Sequence, residues 1–233
     1  MLFSRLPVVA AILLFVAFPA HADKDDLKNI QIQSFYVPSD RAALEQTIQT
    51  DNSARDVAIA WHGLAGMQVD GASRSAVAKL SELPDLKADP MLQAYLGSAY
   101  IMKARDQSFI PARVRSVRQG LKWLEGSIIA QPDNFDIRAM RAATTMNLPD
   151  IFGYRETTRG DLQVLITKVE SGDAPFKRGS LQEGRMIAAL GKLCAEQQDL
   201  TCAEAQIQTL QANYADNAEM TDLAARLSAA IAR

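Results

Sequence analysis

The sequence has few of the residues from which metal, haem and nucleic-acid sites are built. Two histidines and two cysteines in 233 residues are too few for the ligand clusters of zinc or haem proteins. Aromatic residues make up 6% of the chain, and the formal net charge is −2. Nucleic-acid surfaces need stacking rings and excess basic charge, so neither nucleic acid nor a cofactor is expected. The content of 48% hydrophobic and 22% charged residues is typical of a chain that folds around a core.

The first 22 residues have the pattern of a secretory signal peptide. A basic start at Arg5 precedes an apolar run over Leu6–Phe18, and Ala20–Ala22 form a small-residue exit. The run is shorter than the roughly 20 residues that cross a bilayer as a helix, which favours cleavage after Ala22. We therefore expect a mature protein in an oxidising compartment, for which a bacterial periplasm fits best. An uncleaved signal would instead tether the same domain to the membrane.

Apolar residues three and four positions apart predict an all-α domain over residues 40–233. Signals for β-strands are nearly absent. Residues 23–39 form a polar lead-in, of which Ile30–Val37 could be a short extended arm. The predicted helices lie near 40–49, 54–68, 72–83, 90–105, 111–130, 135–147, 158–170, 180–197, 201–213 and 218–231.

Short polar motifs predict where several helices begin. A hydroxyl at the N-cap accepts a hydrogen bond from a backbone N–H two or three residues later, and a following carboxylate can return the interaction. Four pairs have the three-residue spacing of such a cap: Ser53 and Asp56, Thr158 and Asp161, Ser180 and Glu183, and Thr201 and Glu204.

Two segments each match the pattern of small and large residues that a helical-hairpin repeat of about 34 residues shows. The first contains Leu96, Gly97, Tyr100, Gly120 and Leu124, with about eleven extra residues between its helices, and the second contains Leu190, Gly191, Cys194, Ala203, Ile207 and Leu210. Over roughly residues 90–217 the chain resembles the tetratricopeptide repeat family. The resemblance implies antiparallel helical hairpins stacked as a right-handed solenoid, with a capping helix at 218–231 and a concave, peptide-holding surface. A less regular helical bundle is the alternative.

Basic residues are concentrated in the centre of the chain. Residues 101–160 hold ten basic and six acidic side chains. Arg115 and Arg118 lie three positions apart on one predicted helix, and Arg138 and Arg141 have the same spacing on the next. If both stripes line one side of the stack, they form a groove for carboxylates or phosphates. The alternative is an ordinary solvated face.

Removal of residues 1–22 would leave one histidine, His62. We expect structural roles for this histidine and for the two cysteines. Cys194 and Cys202 lie near the facing ends of two predicted helices, which favours a disulfide in an oxidising compartment over two free buried thiols. His62 lies within an apolar helix, and the chain has no nucleophile elbow to partner it. We expect a histidine that is hydrogen-bonded across a helix pair or placed at a groove edge, and no enzymatic activity.

These patterns favour a non-enzymatic periplasmic module that binds a partner protein or peptide in the cell envelope. Arg138 and Arg141 would act as carboxylate clamps on the concave face. The alternative is an accessory protein of an envelope transport system that binds a small anionic solute. Its pocket would lie between the loops at Phe109 and Phe152 and the central arginines. In either case we expect contact with the membrane only through a partner or an uncleaved signal.

Overall fold

The computed structural model describes residues 26–27, 29–32, 40–50 and 52–232. The predicted signal peptide and most of the lead-in lie outside the described residues. Over residues 40–232 the described chain is all-helical and contains no strand, so the predicted fold class is confirmed.

In the described chain from residue 40 onward, ten α-helices correspond one to one with the ten predicted helices. They are α1 (Arg41–Gln49), α2 (Ala54–Gly66), α3 (Ala72–Ser81), α4 (Pro90–Arg105), α5 (Ile110–Ala130), α6 (Phe135–Thr145), α7 (Arg155–Ser171), α8 (Leu181–Glu196), α9 (Leu200–Asn213) and α10 (Ala218–Ile231). A 3₁₀ turn, Asp150–Phe152, precedes α7. The largest difference from the predicted boundaries is at the start of α7, which lies three residues earlier than expected.

Two of the four predicted caps are confirmed. The Ser53 hydroxyl accepts a hydrogen bond from the Asp56 N–H at 3.1 Å, and α2 begins directly after Ser53. The Ser180 hydroxyl accepts from the Glu183 N–H at 3.3 Å at the start of α8. The Glu183 carboxylate accepts a hydrogen bond from the Gly179 N–H. This donor lies one residue before Ser180, whose N–H is the donor in a capping box.

The other two predicted caps are wrong. Thr158 lies inside α7, where its hydroxyl donates to the Tyr154 carbonyl at 2.8 Å. The N-cap of α9 is Asp199, whose carboxylate accepts from the Cys202 N–H at 3.1 Å, while Thr201 lies within the helix. Both helices therefore begin before the predicted cap residue, α7 at Arg155 and α9 at Leu200.

The helices pack in a regular order along the chain. Each helix from α1 to α9 packs against the helix that follows it. Alternate helices also touch, because α4 packs against both α2 and α6, and α8 packs against α10. Four hydrophobic clusters fill the spaces between them.

A close approach between α4 and α5 involves two predicted small positions, Gly97 and Gly120. A Cβ atom on Gly97 would lie 2.8 Å from the Gly120 carbonyl oxygen, and one on Gly120 would lie 2.5 Å from the Gly97 carbonyl oxygen. Only glycine permits this approach. The eleven extra residues of this segment are absorbed mainly by α5, which is 21 residues long.

The largest cluster surrounds α8 and includes residues from the N-terminal segment. Twelve of the sixteen residues of α8 are buried, against eight of sixteen in α4. Leu27 and Ile30 belong to the same cluster and are 0% and 2% exposed. Around these two residues the Ile30 N–H donates to the Leu27 carbonyl at 3.1 Å, and the Asn29 N–H donates to the Asp26 carbonyl at 3.1 Å. Of the arm predicted at 30–37, residues 33–37 lie outside the described part of the chain.

Candidate functional site

Nine of the ten central basic residues divide into two groups in the structure, and the tenth, Lys103, lies over the ring of Tyr100. One group is paired with acidic side chains of the protein itself: Arg105, Arg138, Arg141, Arg155 and Arg159. The other group lies exposed along α5 and, within the described residues, forms no ion pair: Arg113, Arg115, Arg118 and Lys122. The predicted stripes therefore have different surroundings.

Arg138 and Arg141 of α6 both bind the carboxylate of Asp161 in α7. Arg138 Nη1 lies 2.7 Å from Asp161 Oδ1. Arg141 makes a two-pronged contact, with Nε 2.7 Å from Oδ2 and Nη2 2.8 Å from Oδ1. The Asp161 side chain is 1% exposed, and the two arginine side chains are 16% and 11% exposed. These guanidinium groups clamp a carboxylate of the chain itself, whereas we expected them from the sequence to clamp a carboxylate of a partner.

Hydroxyl groups beside this cluster hold α6 and α7 together. The Thr145 and Thr158 hydroxyls lie 2.7 Å apart in the buried interface. Thr145 also donates to the Arg141 carbonyl at 2.8 Å. The sequence prediction missed the role of Asp161 because this residue was assigned to a helix cap. The sequence held one signal for this role. Asp161 lies three residues after Thr158, and both residues lie on a buried face of the helix.

Arg115, Arg118 and Lys122 form an exposed basic face along one side of α5, and Arg113 is not part of it. A shallow depression beside the helix is lined by Pro111, Val114, Arg115, Arg118, Gln119 and Lys122. Their spacing of three, four and seven residues places them on one side of the helix. Arg138 and Arg141 do not line this depression, so the two stripes do not share it.

Two apolar side chains are exposed at the start of α5, outside the residues that line the depression. Phe109 and Ile110 are 68% and 69% exposed, although both are large hydrophobic residues. In the second predicted apolar loop, Ile151 is also exposed, whereas Phe152 and Tyr154 pack against the hydrophobic cluster around α5 and α6. The first loop thus offers its apolar side chains to solvent, and the second mainly covers the core.

His62 is buried and faces an aromatic ring. Its ring lies edge-on to Tyr95, with centroids 4.8 Å apart. Nε2 has no hydrogen-bond partner among the described atoms, in contrast to the expected cross-helix hydrogen bond. Burial lowers the pKa of His62 to about 4, because the charged imidazolium would be desolvated. The side chain is therefore a neutral packing residue at neutral pH.

Cys194 and Cys202 are joined by a disulfide, as predicted, with Cα atoms 5.7 Å apart. The bridge closes the turn between α8 and α9, which contains Asp199. The Asp199 carboxylate also accepts a hydrogen bond from Arg159 Nη2 at 2.5 Å. Asp199 and both sulfur atoms lie within metal-ligand distance of one another, but a disulfide leaves no thiolate to bind an ion.

Similarity to known proteins assigns no function to these surfaces. Among the helices of residues 40–232, none combines the length and apolar content needed to span a bilayer. No protein-family model matches this chain, and neither does any curated protein or solved structure.

Proposed function

We propose that this protein is exported to the bacterial periplasm and acts there as a non-enzymatic, helical-repeat module that binds an acidic segment of a partner protein. The exposed face of α5 is the proposed binding surface. The observation that carries the proposal is the set of exposed arginines without an ion pair, next to an exposed apolar pair. Arg115 and Arg118 define the centre of this surface, and Phe109 and Ile110 are exposed at the N-terminal end of the same helix.

The packing order of the helices supports a tetratricopeptide-like stack. In such a stack each helix packs against the next, and the first helices of successive pairs touch. The contacts of α4 with α2 and α6, and of α8 with α10, follow this order. The tight approach of Gly97 and Gly120 is the packing for which the repeat uses small residues. One face of α10 is buried and the other exposed, as a capping helix requires.

Two observations support the proposed compartment. The first is the signal-peptide pattern of residues 1–22. The second is the disulfide between Cys194 and Cys202, since such bonds persist in oxidising compartments and are rare in the cytosol.

The chemistry of the α5 face favours a carboxylate-bearing protein segment. Guanidinium groups bind carboxylates through paired hydrogen bonds, as Arg141 does with Asp161 inside the same molecule. Exposed aromatic and aliphatic anchors beside arginines are the residue types that dominate binding energy at protein interfaces. Because a partner covers both, it would bury the apolar pair while it pairs the cations.

A small anionic solute is the second candidate ligand, because the depression beside α5 presents three cations. All of its lining residues belong to one helix, which leaves a small ligand open to water. Solute receptors usually enclose most of their ligand, so we favour the protein segment. A thermal shift of the purified protein with succinate, abolished by R115E/R118E, would favour the solute instead.

The proposal is tested by cross-linking in the native envelope. A photoreactive residue replaces Gln119, at the centre of the face, and in a control chain replaces Thr209 on the exposed side of α9. We expect a defined protein adduct from position 119 only. Adding R115E/R118E to that chain should remove the adduct, whereas the matched charge reversal R41E/K79E should not. An adduct that survives R115E/R118E, or none at position 119, would contradict the proposal.

A further inference from the structure

We infer that α8 and α10 form a second binding site, for a short peptide with two aliphatic side chains three residues apart, and that residues 26–32 of the chain occupy it as an internal ligand. The site is separate from the α5 face. Its proposed external ligand is a partner segment with the same chemistry, which competes with residues 26–32.

The internal ligand is anchored by two apolar side chains. Leu27 is 0% exposed and Ile30 is 2% exposed, and both lie in the large cluster to which α8 and α10 contribute together with α6, α7 and α9. Ile32 packs against the same cluster while remaining partly exposed. A turn closed by the Asn29 and Ile30 N–H groups places Leu27 and Ile30 so that both side chains reach the helices. The aliphatic pair thus supplies the sequence specificity of the site.

Two cationic side chains bind the backbone of the same segment. Lys192 Nζ of α8 donates to the Ile30 carbonyl at 3.0 Å, and Arg226 Nη2 of α10 donates to the Asn29 carbonyl at 2.8 Å. The two carbonyls belong to successive residues, so α8 and α10 together bind a short stretch of main chain. Side-chain donors on backbone carbonyls, combined with pockets for selected side chains, are a general means of peptide recognition.

The burial of Lys192 indicates a site built for a polar backbone. Lys192 is 7% exposed, and lysine is almost never buried to that extent unless its ammonium group is paired. Glu196 lies 3.9 Å away on the same helix, and the Ile30 carbonyl provides the closer contact. Burial lowers the pKa of Lys192, so the ammonium group depends on these acceptors.

The distance along the chain makes the internal ligand exchangeable in principle. Ile30 is 162 residues from Lys192, and Asn29 is 197 residues from Arg226, so the segment and the two helices that bind it are joined through a long stretch of chain. Its occupancy depends on its own contacts and on the effective concentration that the connection provides. A free peptide must therefore overcome that effective concentration to bind.

The test uses a fluorescent peptide with the sequence of residues 26–32, DLKNIQI, and fluorescence anisotropy. The full chain carrying L27D/I30D should bind this peptide at least about tenfold more tightly than the wild-type chain, because its internal ligand is disabled. A peptide with both anchors changed to aspartate should not bind. Adding Lys192→Met should weaken binding, and adding R115E/R118E should leave it unchanged, which separates this site from the α5 face.

Equal peptide affinity for the two chains, or no binding to a L27D/I30D chain with native circular dichroism, would overturn the inference. If L27D/I30D does not fold, L27A/I30A replaces it under the same two criteria. Loss of the cross-link at position 119 has no bearing on this result, so the two proposals fail separately.

Discussion

The two arginine stripes have the same spacing in sequence and opposite environments in the structure. Arg138 and Arg141 meet a buried carboxylate on α7 and become part of the interface between two helices. Arg115 and Arg118 meet solvent on the outer face of α5. Spacing alone places side chains on one face of a helix, but the element that packs against this face decides whether it stabilises the fold or remains available for binding.

The largest expected effect comes from removing the carboxylate that distinguishes the stripes. Asp161→Ala leaves two mostly buried guanidinium groups without their counter-charge, and we expect a loss of about 3 to 5 kcal/mol in the free energy of unfolding. Urea denaturation measures the loss. Asp136→Ala, an exposed carboxylate in the first turn of α6, is the control and should cost less than about 1 kcal/mol. Equal losses in the two variants would mean that the buried cluster contributes no more than a surface charge.

His62 extends the comparison to a buried basic side chain that lacks a counter-charge. Unlike Arg138 and Arg141, it has no carboxylate at its ring nitrogen Nε2 among the described residues. Its pKa of about 4 in the folded protein lies below the value near 6.5 expected after unfolding. The unfolded chain thus binds the proton more readily, so stability is full above about pH 6.5 and falls as the pH drops toward 4. The loss should reach about 3 kcal/mol at pH 4.

The measurement is a series of urea denaturations between pH 7 and pH 4 on the wild type and on His62→Leu. The variant should lack this component of the pH dependence, while the contribution of the carboxylates remains in both proteins. Parallel stability curves for the two proteins over this interval would show that His62 titrates alike in the folded and unfolded states.

A somewhat smaller effect is expected from opening the disulfide. The bridge between Cys194 and Cys202 closes a loop with a sequence separation of eight. The loop-entropy relation gives about 2.5 kcal/mol for this length. Reduction should also loosen the contact between Arg159 and Asp199, since Asp199 lies in the closed turn. Thermal unfolding with and without reductant measures the effect, and C194A/C202A, which should be insensitive to reductant, is the control.

The helices were predictable because their determinants are local. Apolar periodicity and turn residues marked all ten, and Ser53 and Ser180 marked two starts correctly. The errors at Thr158 and Thr201 have one cause. A hydroxyl followed by a carboxylate has the same spacing inside a helix as at its N-cap, and only the path of the preceding chain distinguishes them. At α7 that path includes a 3₁₀ turn, and at α9 it brings Asp199 to the cap.

The site was predictable in its residue types and not in its partners. Arg115 and Arg118 were identified by spacing, and so were Arg138 and Arg141. The partner of the second pair, Asp161, lies 20 and 23 residues along the chain, on a different helix. No local pattern encodes that meeting. The contacts that residues 26–32 make with α8 and α10 are longer in range still, and they depend on the complete fold.

The most direct test of this account compares two matched double variants, R138A/R141A and R115A/R118A, by urea denaturation at neutral pH. Each removes two arginines three residues apart on one helix. The account predicts a loss of about 3 kcal/mol or more for R138A/R141A, which strands the buried Asp161, and less than about 0.5 kcal/mol for R115A/R118A. Similar losses in the two variants would contradict the division of the central arginines into a structural pair and an exposed pair.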